Sequence, residues 1–151
     1  MTLQTYIDRL EEFAARVGAP VLRNTLTRGV WGRVEERRIV LRAGLTLEQQ
    51  LLTLAHELTH LIAHCNARPR LNRTVCEYEA EAVERWVGAA LRVSPSADEP
   101  DLSFTDDLLA CSVVRVRWAA DTLVSAARGT LRAEPNSIKG AVRRPSPGSA
   151  R

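Results

Sequence analysis

The sequence predicts an α+β fold, mostly helical with a small β-sheet. Three observations carry that expectation. Long segments place apolar residues at helical spacing between recognisable caps. Two short β-prone runs flank a charged pair. The chain has 151 residues with 45% apolar content, enough for one core and short for two.

Residues 2 to 17 place Leu3, Tyr6, Ile7, Leu10, Phe13, Ala14 and Val17 at helical spacing, and Gly18 with Pro20 ends the pattern. The runs "GVWGRVE" and "RRIVLRA" then read as two strands with their turn around Glu35-Glu36. Thr46 with Gln49 three residues on forms a capping-box signature, opening a helix that should reach about Cys65. Asn72 to Thr74 open a further helix running to about Val93. After the loop "SPSADEPD", Thr105, Asp106 and Asp107 should cap a last helix ending near Arg128, with Gly129 as its stop. The chain therefore divides into one domain, 1–129, and a tail, 130–151. The tail, "TLRAEPNSIKGAVRRPSPGSAR", lacks apolar periodicity and reads as disordered.

Charge follows the same division. The net charge is +3, of which the tail contributes +4 (five basic residues against Glu134), so residues 1–129 sum to −1. A solvating tail is the better reading of this composition than a nucleic-acid-binding arm. The N-terminal segment carries acids early and has no secretory-type apolar core. No apolar run approaches the roughly 20 residues of a membrane-spanning helix. Three cysteines, Cys65, Cys76 and Cys111, are an odd number without paired spacing, as expected of reduced thiols. A soluble, cytoplasmic protein is expected.

The helix from Thr46 to Cys65 contains the chemistry. At ~100° per residue, Leu47, Leu51, Leu54, Leu58, Leu61 and Ile62 form one stripe, and all three histidines of the chain, His56, His60 and His64, lie roughly opposite. Histidines that merely filled the core would sit in the leucine stripe. The pattern His56-Glu57-Leu58-Thr59-His60 places two imidazoles at i and i+4, a spacing suited to one Zn²⁺, with Glu57 in reach of a water at that ion.

A catalytic zinc site usually has three protein ligands, so a third must come from elsewhere. On the next helix, "RTVCEYEAEAVERWVGAAL", Glu77, Glu81 and Glu84 share a face. Like charges at i,i+4 cost a helix a few tenths of a kcal/mol, a penalty that a cation opposite them would remove. Local helix chemistry accounts for the same residues, because Thr74 with Glu77 fits a capping box and Glu81 can pair with Arg85. Both readings stand on the helix pattern alone.

The motifs "TLAHELTHLIAH" and "EYEAEAV", in this order of helix, small sheet, HExxH helix and glutamate-bearing helix, resemble the ImmA/IrrE metallopeptidases, a compact branch of the zincins, over about residues 30 to 93. "EAEAV" is also similar to a stretch of ArdC-type antirestriction proteins. The resemblance implies His56, His60 and Glu77 as zinc ligands and Glu57 as the catalytic base. His64 and Glu81 become candidates for supporting the ligands rather than binding the metal. Thr59 stands where the family commonly has glycine, a departure expected to crowd the helix locally.

The activity so implied is zinc-assisted peptide hydrolysis with Glu57 moving the proton, on a protein or peptide substrate such as a repressor-like regulator. Tyr78 and Arg115 are candidates for an oxyanion donor, and "RRIVLRA" for binding an extended substrate if it forms a sheet edge. Three other readings remain. One is a structural zinc site using His60, His64 and a cysteine, which leaves Glu57 unexplained. A second is a protein of antirestriction type that binds nucleic acid. The third is a partner-binding regulator whose metal only stabilises the fold.

Overall fold

The computed structural model describes residues 1–65, 71–93 and 107–131, with side chains in the last segment from residue 113 onward. The loop "SPSADEPD", the expected caps Thr105 and Asp106, and the tail from residue 132 lie outside the described residues.

Helix α1 (Leu3–Arg16) starts where the Thr2 side chain accepts a hydrogen bond from Thr5 N–H, and it buries Ile7, Leu10, Phe13 and Ala14. After a turn at Gly18, whose φ of 86° lies in the left-handed region, the chain enters β1 (Val21–Asn24). The sequence reading did not anticipate this strand. Its four residues carry no clear alternation, and it is held by parallel pairing with β3 rather than by its own pattern. Strand β2 (Gly32–Glu35) and β3 (Arg38–Arg42) form the expected hairpin. The turn falls on Glu36 and Arg37, one residue later than expected. Both have positive φ, 39° and 74°, the backbone of a tight two-residue hairpin turn.

The strand order is β1-β3-β2. The segment "RRIVLRA" is therefore the central strand, with Ile39, Val40 and Leu41 buried, and its edges are already paired. An extended substrate cannot add to it. The edge strands are β1 and β2.

Helix α2 (Leu47–Thr59) opens with the full capping box: Gln49 N–H donates to Thr46 Oγ1, and the Gln49 side chain accepts from Thr46 N–H. The helix does continue to His64, but His60–His64 is wound as a π-helical turn, closed by Cys65 N–H donating to His60 O at 3.1 Å. Helix α3 (Arg73–Ala90) is capped by Asn72, whose side chain accepts from Thr74 N–H at 2.8 Å. The expected Thr74–Glu77 box is not the cap. Helix α4 (Asp107–Arg128) ends at Gly129, φ 70°, and Thr130 and Leu131 N–H both bond back to Ser125 O.

The four helices close a ring in which α1 packs on α2, α2 on α3, α3 on α4 and α4 again on α1, while the sheet lies against α2 through β2 and β3. Leu51, Leu54 and Leu58 of α2 are fully buried at the centre with Phe13, Ile39, Leu41, Val83, Val87 and Leu123. The leucine stripe thus pins α2 in the middle of the molecule and turns its histidine face toward α3. No described helix is long and apolar enough to cross a membrane.

Candidate metal centre

With α2 held by its leucines, His56 and His60 project side by side, their ring centroids 5.0 Å apart. Asn72 sets the start of α3 so that its second turn brings Glu77 against both rings. Glu77 Oε2 lies 3.4 Å from His56 Nε2 and 3.6 Å from His60 Nε2, and one donor atom from each of the three residues falls within 4.8 Å of the other two. Ligand atoms bound at ~2.0–2.1 Å around a tetrahedral zinc stand roughly 3.3 Å apart, so the two glutamate–histidine spacings match such an ion.

The site opens into a cleft of about 810 Å³, lined on one side by Gly29–Val34 and on the other by Thr53, His56, Glu57, His60, Arg73, Glu77, Glu81 and Glu84. Glu57 sits at its floor, 8% exposed. Gly32 lets β2 approach this floor, because a Cβ there would stand 2.6 Å from Thr53 Cγ2 and 3.1 Å from Glu57 Cγ.

The electrostatics favour a cation. Burial lowers the proton affinity of His56, but its hydrogen bond with Glu84 and the charges of Glu57 and Glu84 outweigh that and leave its pKa raised. The field that would hold a proton there would equally hold a metal ion. Burial, with the neighbouring His56, depresses His60 to about 4, which keeps it neutral. Burial pushes Glu57 up to about 7, an effect that His56 opposes and that Glu77 and Glu84 reinforce. Two neutral-capable imidazoles and a carboxylate in a negative field are a donor set that suits zinc.

The model of the Peptidase_M78 family, the IrrE N-terminal-like domain, matches residues 9–94. The chain belongs to this family. No curated protein and no solved structure matches. The match covers the second half of α1 from Arg9, the sheet, α2 and the whole of α3, and so contains all three residues of the candidate metal cluster of this IrrE-type domain. It carries the peptidase-family reading and leaves the ArdC likeness a resemblance of one short stretch.

Of the residues singled out in the sequence, the structure brings together His56, His60, Glu77 and Glu57. Glu81 lines the cleft, but it is exposed and outside the cluster. His64 does not share the metal face. Its Nδ1 lies 3.0 Å from His60 Nδ1 and its Nε2 lies 2.9 Å from Glu79 Oε2, so neither nitrogen is left for a structural zinc site. Among the described residues, no cysteine joins a ligand cluster. Arg115 is not an oxyanion donor here. Its guanidinium forks onto Glu79, with Nη2–Oε1 at 2.7 Å and Nε–Oε2 at 3.1 Å. Tyr78, 47% exposed, does not line the cleft.

Sequence reasoning placed Glu84 on the acidic face without assigning it a partner, and it did not single out Glu79. Glu84 Oε2 lies 3.2 Å from His56 Nδ1 and orients that ring. Glu79, 1% exposed, faces away from the cleft toward His64. Glu79 stands between Tyr78 and Ala80, two residues past Glu77 and so off the face shared by Glu77, Glu81 and Glu84, and no local spacing marks it.

Proposed function

We propose that this IrrE-type domain is a zinc-dependent peptidase in which His56, His60 and Glu77 hold the metal and Glu57 is the general base. The observation that carries the reading is the convergence of the three donor atoms within 4.8 Å beside a buried carboxylate, in a cleft bordered by an edge strand.

When bound, zinc supplies a Lewis acid that acidifies a water and polarises the scissile carbonyl. Glu57 takes the proton of the attacking water and returns it to the leaving amine. Burial raises the proton affinity of Glu57 in the metal-free protein, which strengthens it as a base, and a cation beside it would favour the ionised form that takes the proton. Glu84 fixes the His56 ring from its far side. The free edge of β2 offers backbone donors and acceptors to an extended peptide, and exposed Val30 and Trp31 supply an apolar wall for one of its side chains.

Among the described residues, four glutamates against two arginines line the cleft, a surface that repels a phosphate backbone and admits a peptide. The substrate class we infer is a protein or peptide, and the cleft of so small a domain fits site-specific cleavage of a regulatory protein better than general digestion.

The test uses the full chain loaded with one equivalent of zinc and a mixed peptide library read by mass spectrometry. Glu57→Gln keeps size and polarity but cannot take the proton. It should retain stoichiometric zinc while cleavage falls about 100-fold or more, the scale of lost general-base catalysis, whereas Glu77→Gln should weaken zinc binding itself. Undiminished cleavage by Glu57→Gln, or wild-type protein that binds no zinc, would reject the proposal.

A further inference from the structure

Beneath the metal cluster lies a second set of polar groups that the chemistry above does not use. His64, Glu79 and Arg115 come from the π turn, α3 and α4, and the side chains of His64 and Glu79 are 6% and 1% exposed. Burying a carboxylate so completely is costly unless it is paired and hydrogen-bonded. Glu79 is both, through the two-pronged contact with Arg115 and the contact with His64.

Hydrogen-bond complementarity along this chain favours one arrangement of protons. The Glu79 carboxylate, charged against Arg115, only accepts, so His64 Nε2 must carry a hydrogen. With that one hydrogen on its ring, His64 presents a bare Nδ1, which can only accept. Its partner 3.0 Å away, His60 Nδ1, must be the donor. His60 with its proton on Nδ1 has a lone pair on Nε2, the atom that lies 3.6 Å from Glu77 Oε2 in the cluster.

We propose that Arg115, Glu79 and His64 are positioning residues that lock His60 in the Nδ1–H tautomer and so present its Nε2 lone pair to the metal. The inference rests on the reading of His60 as a ligand and goes beyond it. Arg115 lies on α4, outside the 9–94 span of the family match, so the chain's own last helix completes the metal centre. The π turn matters for the same reason, because it sets His64 between the His60 ring and the buried carboxylate.

The experiment has two parts. Histidine ¹⁵N–¹H correlation spectra of the wild-type full chain, zinc-loaded and zinc-free, read the tautomers without any substitution. His64 should appear as the Nε2–H form and His60 with its hydrogen on Nδ1. His64 found as the Nδ1–H form or as an imidazolium would overturn the proposal. Glu79→Gln then removes the charge that orders the chain, and it is the gentler cut because the Arg115 side chain, 28% exposed, can be hydrated. Chelator competition should show zinc affinity falling about 10- to 100-fold, the range typical of lost outer partners of a ligand, with helical content unchanged. Affinity within about twofold of wild type would overturn the proposal while leaving the metal centre standing. Wild-type protein that binds no zinc would overturn both. If Glu79→Gln does not fold, the wild-type tautomers decide.

Discussion

A Cβ on Gly32 would meet Thr53 Cγ2 at 2.6 Å and Glu57 Cγ at 3.1 Å, and Thr53 is a buried, β-branched side chain with little rotamer freedom. Gly32→Ala should therefore cost about 1–3 kcal/mol, as overpacking does, and should displace Glu57 along with the strand. Urea unfolding checks the first effect. The second appears as slower peptide cleavage at unchanged zinc stoichiometry; wild-type cleavage would mean the floor of the cleft yields more easily than its packing implies. The histidine pair has the opposite signature. His56→Ala or His60→Ala removes one of the converging donors and should abolish stoichiometric zinc, measured by metal analysis after gel filtration. Full zinc retained in either variant would show that the ion, if bound, sits elsewhere.

Within α2, the two ends do different work. At the N-terminus, the capping box of Thr46 and Gln49 satisfies helix N–H groups that would otherwise lack partners. Thr46→Ala should cost about 1 kcal/mol, seen as a fall of a few degrees in Tm, and should leave zinc affinity alone. The cap lies ten residues from His56, roughly 15 Å along the helix at 1.5 Å per residue. Weakened zinc binding in Thr46→Ala would show that fraying reaches the histidines. At the C-terminal end the α-pitch gives way after Thr59. This threonine is buried, and its hydroxyl donates to Ala55 O at 2.8 Å, a back-bond that competes for a helix carbonyl. The crowding expected of a residue standing in place of glycine lies directly before the π turn that sets His64 beside His60, their ring centroids 5.2 Å apart.

For the molecule as a whole, α4 is the element that ties the ring shut and, through Arg115, reaches the buried Glu79 behind the candidate metal centre. Its end is secured by Arg9 of α1, whose guanidinium donates to Arg128 O at 2.6 Å, and by Leu131, which packs against the core. Ordered contacts thus continue two residues past the expected boundary at 129. A chain ending at Leu131 should keep the Tm and zinc affinity of the full protein, because residues 132–151 carry charge without apolar periodicity. A chain ending at Arg128 should melt several degrees lower. Equal melting of the two truncations would show that Leu131 contributes nothing, and a loss already at Leu131 would show that the segment beyond it is part of the fold.

What the sequence determined by itself is local. The apolar period of α1 and α2, the capping box at Thr46, the hairpin, the i,i+4 histidines and the glutamate between them all depend on neighbours within one or two turns, so spacing alone exposes them. The tertiary structure decided whatever depends on contacts between distant segments. Glu77, Glu79, Glu81 and Glu84 are four acids on one helix, and only the packing of α3 on α2 sends Glu77 to both histidines, Glu84 to His56 and Glu79 to His64. Arg115 is 36 residues from Glu79, and no period links them. Pairing of the unanticipated β1 with β3 makes β3 central and leaves β2 as the edge beside the cleft, since strand order is fixed by which chain segments meet and not by the pattern within any one of them.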